Sequence, residues 1–82
     1  MYFIEFTKKA ESQLYKLSRD VQDRIIKTLE RIKIRPQDYL EKLVGEPGYK
    51  LRAGDYRIIL DIDNNKLIIL VLKIGHRRNI YK

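Results

Sequence analysis

Tyr49-Lys50-Leu51-Arg52-Ala53-Gly54-Asp55-Tyr56-Arg57-Ile58-Ile59-Leu60-Asp61-Ile62 decides the fold. Ala53-Gly54-Asp55 is a turn signal, with Gly54 supplying a positive φ. On one side of it Lys50 and Arg52 are two residues apart and so share a strand face. On the other side Tyr56, Ile58, Leu60 and Ile62 alternate with Arg57, Ile59 and Asp61, the period of a half-buried strand. If Tyr56, Ile58 and Leu60 face a core, Arg57 faces the uncovered side of the sheet. Hairpin pairing across the turn then sets Lys50, Arg52 and Arg57 side by side.

Working outward, Asp63-Asn64-Asn65 reads as a second hairpin turn, since Asp and Asn tolerate the left-handed region. Leu67 to Ile74 is nearly continuous Leu, Ile and Val, as expected of a central strand covered on both faces and ended by Gly75. Ile80-Tyr81 is read as a last strand fragment. Toward the N-terminus, Tyr2-Phe3-Ile4-Glu5-Phe6 is a short aromatic and β-branched strand. Thr7 offers an N-cap oxygen to a helix whose apolar stripe is Ala10, Leu14 and Leu17. Ser18 offers another, to a helix with Asp20 in its first turn and Val21, Ile25, Leu29 and Ile32 as its buried stripe, widened by Ile26. Pro36 biases Arg35 away from helix and ends it. Residues 37–48 are a connector with a helical turn. The expected order is β-α-α-β-β-β: an α+β domain spanning residues 1–82, with an N-terminal helical hairpin packed on one face of a small, mainly antiparallel sheet.

Eighty-two residues with 44% hydrophobic and 35% charged side chains suit one small folded domain, too apolar for a disordered chain. The absence of cysteine excludes a disulfide scaffold, a thiolate zinc site and a cysteine nucleophile. One histidine, His76, argues against a histidine-based metal site, so neither metal nor cofactor is expected. The longest apolar run, Leu67 to Leu72, is strand-sized and far below the ~20 residues that span a bilayer. With no signal-peptide pattern, the expectation is a soluble cytoplasmic protein.

The formal net charge of +7 favours a polyanion or an acidic protein as partner. Its distribution says more. Residues 1–47 carry ten basic against eight acidic side chains, and residues 48–82 carry eight against three. The helical charges are mixed, as on a solvated face. The excess falls on the sheet half, around Lys50, Arg52, Arg57, Arg77 and Tyr81.

Two stretches, Tyr49 to Ile59 and Ile74-Gly75-His76-Arg77-Arg78-Asn79-Ile80-Tyr81, occur in this order after a strand and a helical hairpin. In that arrangement the chain resembles, over essentially its whole length, the RelE/ParE superfamily of toxins from type II toxin–antitoxin systems, and within it the RelE-like mRNA endonucleases. The resemblance implies a metal-independent enzyme that enters the ribosomal A site and cuts the mRNA codon bound there. Arg57 matches the arginine that contacts the scissile phosphate, and Arg77 the one that acts on the transition state or leaving group. Tyr81 matches a near-terminal tyrosine that stacks on a base. Lys50 matches one of two catalytic lysines, and the other falls at Gly48, a departure. Arg52, His76 and Arg78 are expected to contact RNA. The resemblance also implies a RelB-like antitoxin, with an acidic amphipathic segment seated on the helical hairpin or on the basic sheet face.

The residue chemistry is consistent with such an enzyme. Attack of a 2′-OH on the adjacent phosphate needs a proton acceptor, charge stabilisation and a proton donor. Arginine is a poor base and suits the phosphate through paired bonds. Lysine or tyrosine pushed toward deprotonation by surrounding cations, or His76, are the candidate bases. The competing expectations are a ParE-type inhibitor of DNA gyrase on the same fold and a catalytically inactive basic RNA-binding relative.

Overall fold

A computed structural model describes residues 1–80. Its elements are β1 (Phe3–Phe6), α1 (Lys8–Tyr15), α2 (Arg19–Ile32), a 3-10 turn (Pro36–Asp38), β2 (Glu41–Lys42), β3 (Tyr49–Ala53), β4 (Tyr56–Asp63) and β5 (Ile68–His76). The five strands form one sheet in the order β1-β5-β4-β3-β2. β1 runs parallel to β5, and the other pairs are antiparallel.

Both helices start where hydroxyl caps are available. The Thr7 hydroxyl accepts from the Ala10 N–H at 3.1 Å, and Ser18 accepts from the Val21 N–H at 3.4 Å. The α2 stripe is buried as its spacing requires, with Ile25, Leu29 and Ile32 within 1% of complete burial. Ala10 and Leu14 join them from α1. Opposite lie Leu51 and Ala53 of β3, Ile58 and Leu60 of β4, and Ile69, Val71 and Ile74 of β5. The helical hairpin therefore covers one face of the sheet and leaves the other open.

A β-bulge keeps that division intact. Ile59 pairs with Lys73 but the next residue, Leu60, pairs with Val71, leaving Leu72 as the extra residue. Val71 and Ile74 both face the helices although they are three positions apart, so Lys73 is carried onto the open face beside Ile59. The bulge breaks the ladder, and α1 repairs it. The Ile74 N–H donates to Gln13 Oε1 at 2.8 Å, and Thr7 Oγ1 donates to the Leu72 carbonyl at 3.2 Å.

Several details depart from the pattern read in the sequence. The connector holds a two-residue strand, Glu41–Lys42, closed onto β3 by the Leu43 N–H donating to the Gly48 carbonyl at 3.1 Å. Leu67 belongs to the turn and not to the strand, with φ at +56°. It takes the left-handed conformation expected of an Asn because Asp63 Oδ1 holds the turn from the other side, accepting from the N–H groups of Asn65 and Lys66. Ile26 is partly exposed, since α2 turns it past the core toward β1. Gly75 does not end the last strand, which runs on to His76. Ile80 is a buried turn residue and not a strand fragment.

Candidate active site on the open sheet face

The open face is divided by charge. At one end lie Glu5, Asp61 and Asp63, lining a cleft of about 640 Å³ with Asn64 and Asn65. Its carboxylates would repel a phosphate; Asp61 and Asp63 stand on β4 as it runs into the β4–β5 turn, and Glu5 stands on β1. Among the described residues no three acidic or histidine side chains converge as metal ligands would.

The basic end is assembled by strand register. Arg52 and Arg57 are direct partners across β3 and β4, and Arg57 in turn pairs with Gly75 on β5. In the adjacent row Lys50 pairs with Ile59, and Ile59 with Lys73. Alternation of side chains puts all four cations on the same side. Lys50, Arg52 and Arg57 line a cleft of about 250 Å³ together with Tyr39 and Glu41.

Arg57 is half-buried and held through one terminal nitrogen of its guanidinium. Its Nη1 donates to the carbonyls of Gly54 and Tyr56, each at 2.9 Å. Its other guanidinium donors have no partner among the described residues. A planar fork fixed on one side and open on the other suits a tetrahedral oxyanion. Gly54, with φ at +62°, makes the supporting turn, and a Cβ there would lie 2.7 Å from Arg24 Nη1.

Lys50 is also engaged. Its Nζ lies 3.5 Å from Glu41 Oε2, an ion pair between β3 and β2. Sequence reading missed Glu41 and Tyr39, because only the pairing of Glu41 with Lys50 reveals which residues of the connector reach the cleft. It missed Lys73 because the bulge that turns it outward leaves no mark in a run of Leu, Ile and Val.

The segment after β5 returns toward the β3–β4 turn. The Arg77 N–H donates to the Asp55 carbonyl at 2.8 Å, fixing Arg77 at that end of the sheet. Arg77 and Arg78 are exposed. His76 pairs with Tyr56 and shares its side of the sheet, with the two rings edge to face at 5.4 Å. Its Nδ1 accepts from the Arg78 N–H at 3.2 Å. His76 thus shapes the turn from the side away from the cleft. Ile80 folds back on Gly75, where a Cβ would stand 3.0 Å from the Ile80 side chain. Gly75 is the β5 partner of Arg57, so the chain is brought near Arg57 one residue before Tyr81. Tyr81 itself lies outside the described residues.

Gly48 has a structural reason to differ from lysine. Its φ is +107°, and a Cβ would stand 3.1 Å from the Leu60 carbonyl oxygen. The tight return from β2 to β3 requires the missing side chain.

Comparison with known proteins agrees with this architecture. A family model described as the ParE toxin of the type II toxin–antitoxin system parDE matches residues 4–81. The chain is similar to the mRNA interferase toxin RelE of Escherichia coli strain K12, 29% identical over 79 residues, covering 93% of this chain and 83% of that protein. Among solved structures it is similar to the toxin–antitoxin complex RelBE2 from Mycobacterium tuberculosis, with a TM-score of 0.84 and 25% identity over 93% of this chain and 98% of the matched one. The intact RelBE toxin–antitoxin complex of E. coli gives a TM-score of 0.78 at 28% identity, over 93% of this chain and 96% of the matched one.

Proposed function

The chain belongs to the ParE toxin family of type II toxin–antitoxin systems, and we propose that residues 1–82 form one cytoplasmic toxin domain that cleaves mRNA on the ribosome. The observation that carries this reading is the cleft in which Arg57, anchored through one nitrogen and open through the rest, is flanked by Arg52 and Lys50. Three cations lining one cleft are organised for charge stabilisation at phosphorus. The names of relatives with mRNA interferase activity support the same reading.

In the proposed reaction Arg57 binds the non-bridging oxygens of the scissile phosphate. Arg77 approaches from the β3–β4 turn and neutralises charge on the departing oxygen. Lys50 serves as a proton donor, and Arg52 and Arg78 hold the flanking phosphates. Tyr81 stacks on a base of the codon. The nucleophile is the substrate's own 2′-OH, so the chemistry calls for neither metal nor cofactor. The remaining basic surface docks on ribosomal RNA. Relatives solved as complexes with a RelB antitoxin support a RelB-like partner for this chain, with an acidic segment that neutralises the basic face.

The test is codon-resolved cleavage of mRNA in a translation extract, which Arg77→Ala should reduce by about 100-fold or more. The family description keeps a second reading in play, a ParE-type gyrase inhibitor. That reading predicts accumulation of gyrase–DNA cleavage complexes while mRNA stays intact. An inactive RNA-binding relative would bind RNA without turnover.

A further inference from the structure

We infer that Glu41 is the proton acceptor for the attacking 2′-OH, an assignment that rests on the nuclease reading above. Arginine and lysine crowd the cleft; a guanidinium accepts no proton, and a lysine accepts one only after first losing its own. A carboxylate accepts one directly, and Glu41 is the carboxylate that the basic cleft contains. The other acidic residues of the open face, Glu5, Asp61 and Asp63, stand at its far end. His76 is turned to the opposite side of the sheet, against Tyr56.

What places Glu41 there is the two-residue strand β2. The pairings Glu41 with Lys50 and Lys42 with Tyr49 fix its register. Glu41 Oε2 then stands 3.5 Å from Lys50 Nζ, on a side chain that is 76% exposed. So exposed a pair contributes little to folding. It does put an acceptor and a donor in the same cleft, and cleavage needs both. The groups around Glu41 are Lys50 and Arg52 from β3, Arg57 from β4 and Tyr39 from the segment before β2.

The step balances within the pair. With the phosphate on Arg57, the 2′-O–H bond breaks and its proton passes to Glu41. The 2′-oxygen forms a bond to phosphorus, the bond from phosphorus to the 5′-oxygen breaks, and that oxygen takes a proton from the Lys50 ammonium. The products are a 2′,3′-cyclic phosphate and a 5′-hydroxyl. Transfer of the proton from the Glu41 carboxyl to the neutral Lys50 amine restores both groups, with no co-reactant.

The experiment compares wild type, Glu41→Gln and Glu41→Ala on ribosomes programmed with a defined mRNA, mapping the cut and its chemical ends. Glu41→Gln keeps an acceptor for Lys50 but is no base, and should slow cleavage by about 100- to 10,000-fold. Formate or acetate should restore part of the Glu41→Ala rate, rising with the basicity of the added acid. A residue that merely held Lys50 would not give that dependence. Thermal unfolding within a few degrees of wild type would show that both variants fold. Cleavage by Glu41→Gln within about threefold of wild type would overturn the assignment and leave the nuclease reading standing. Absence of cleavage by wild type would overturn both.

Discussion

Arg52 and Arg57 are direct cross-strand partners on the open face of the sheet. Like charges so placed destabilise a sheet by roughly 0.2–1 kcal/mol. A fold under selection for stability alone has no use for the arrangement, whereas a phosphate bound between the two cations removes the repulsion. Local conflicts of this kind mark functional surfaces.

Relief of that conflict is measurable. Arg52→Gln should raise the melting temperature of the free toxin by about 1–5 °C, since 1 kcal/mol moves a domain of this size by about 4–8 °C. The same variant should bind RNA more weakly and with a salt dependence shallower by about one phosphate contact. Thermal scans and filter binding across a salt series check both halves.

Arg57 acts through geometry as well as charge. Its Nη1 is committed to the Gly54 and Tyr56 carbonyls, leaving a planar fork toward the cleft. A lysine keeps the charge but presents a single point. Arg57→Lys should therefore lose most of the activity that Arg57→Ala loses, on the order of 100-fold, when rates are compared in single-turnover cleavage.

The bulge that turns Lys73 outward depends on α1. Gln13→Leu would leave the Ile74 N–H without its acceptor and cost about 1–3 kcal/mol. Urea denaturation should show a lower midpoint with an unchanged slope.

Restoring the family lysine at Gly48 should fail. At φ +107° a side chain is strained and meets the Leu60 carbonyl oxygen at 3.1 Å. Gly48→Lys should be destabilised by about 1–3 kcal/mol with no gain in cleavage rate. A faster variant would show that the β2–β3 return is not the reason for glycine.

What could be read from the residues was whatever local chemistry dictates. Thr7 and Ser18 cap their helices as hydroxyls do, Ile25, Leu29 and Ile32 fall on the buried stripe, and Arg57 lies opposite Ile58 and Leu60. What could not be read depends on partners distant in sequence. Glu41–Lys42 is a strand only because Tyr49 and Lys50 lie beside it. Leu67 takes a left-handed turn position because Asp63 braces that turn. Lys73 reaches the open face through a one-residue bulge supported by Thr7 and Gln13. The candidate phosphate contacts were legible because charge repeated at a spacing of two. The carboxylate in their midst was hidden in a connector with no periodicity.

Cleavage of mRNA by this basic face remains the proposal on which the other roles depend. It is tested most directly by incubating the purified toxin with ribosomes stalled on a defined mRNA and sequencing the ends. The expected result is a break within the A-site codon, leaving a 2′,3′-cyclic phosphate and a 5′-hydroxyl, and lost in Arg57→Ala and Arg77→Ala. Intact mRNA beside accumulating gyrase–DNA cleavage complexes, or a cut that survives both substitutions, would contradict it.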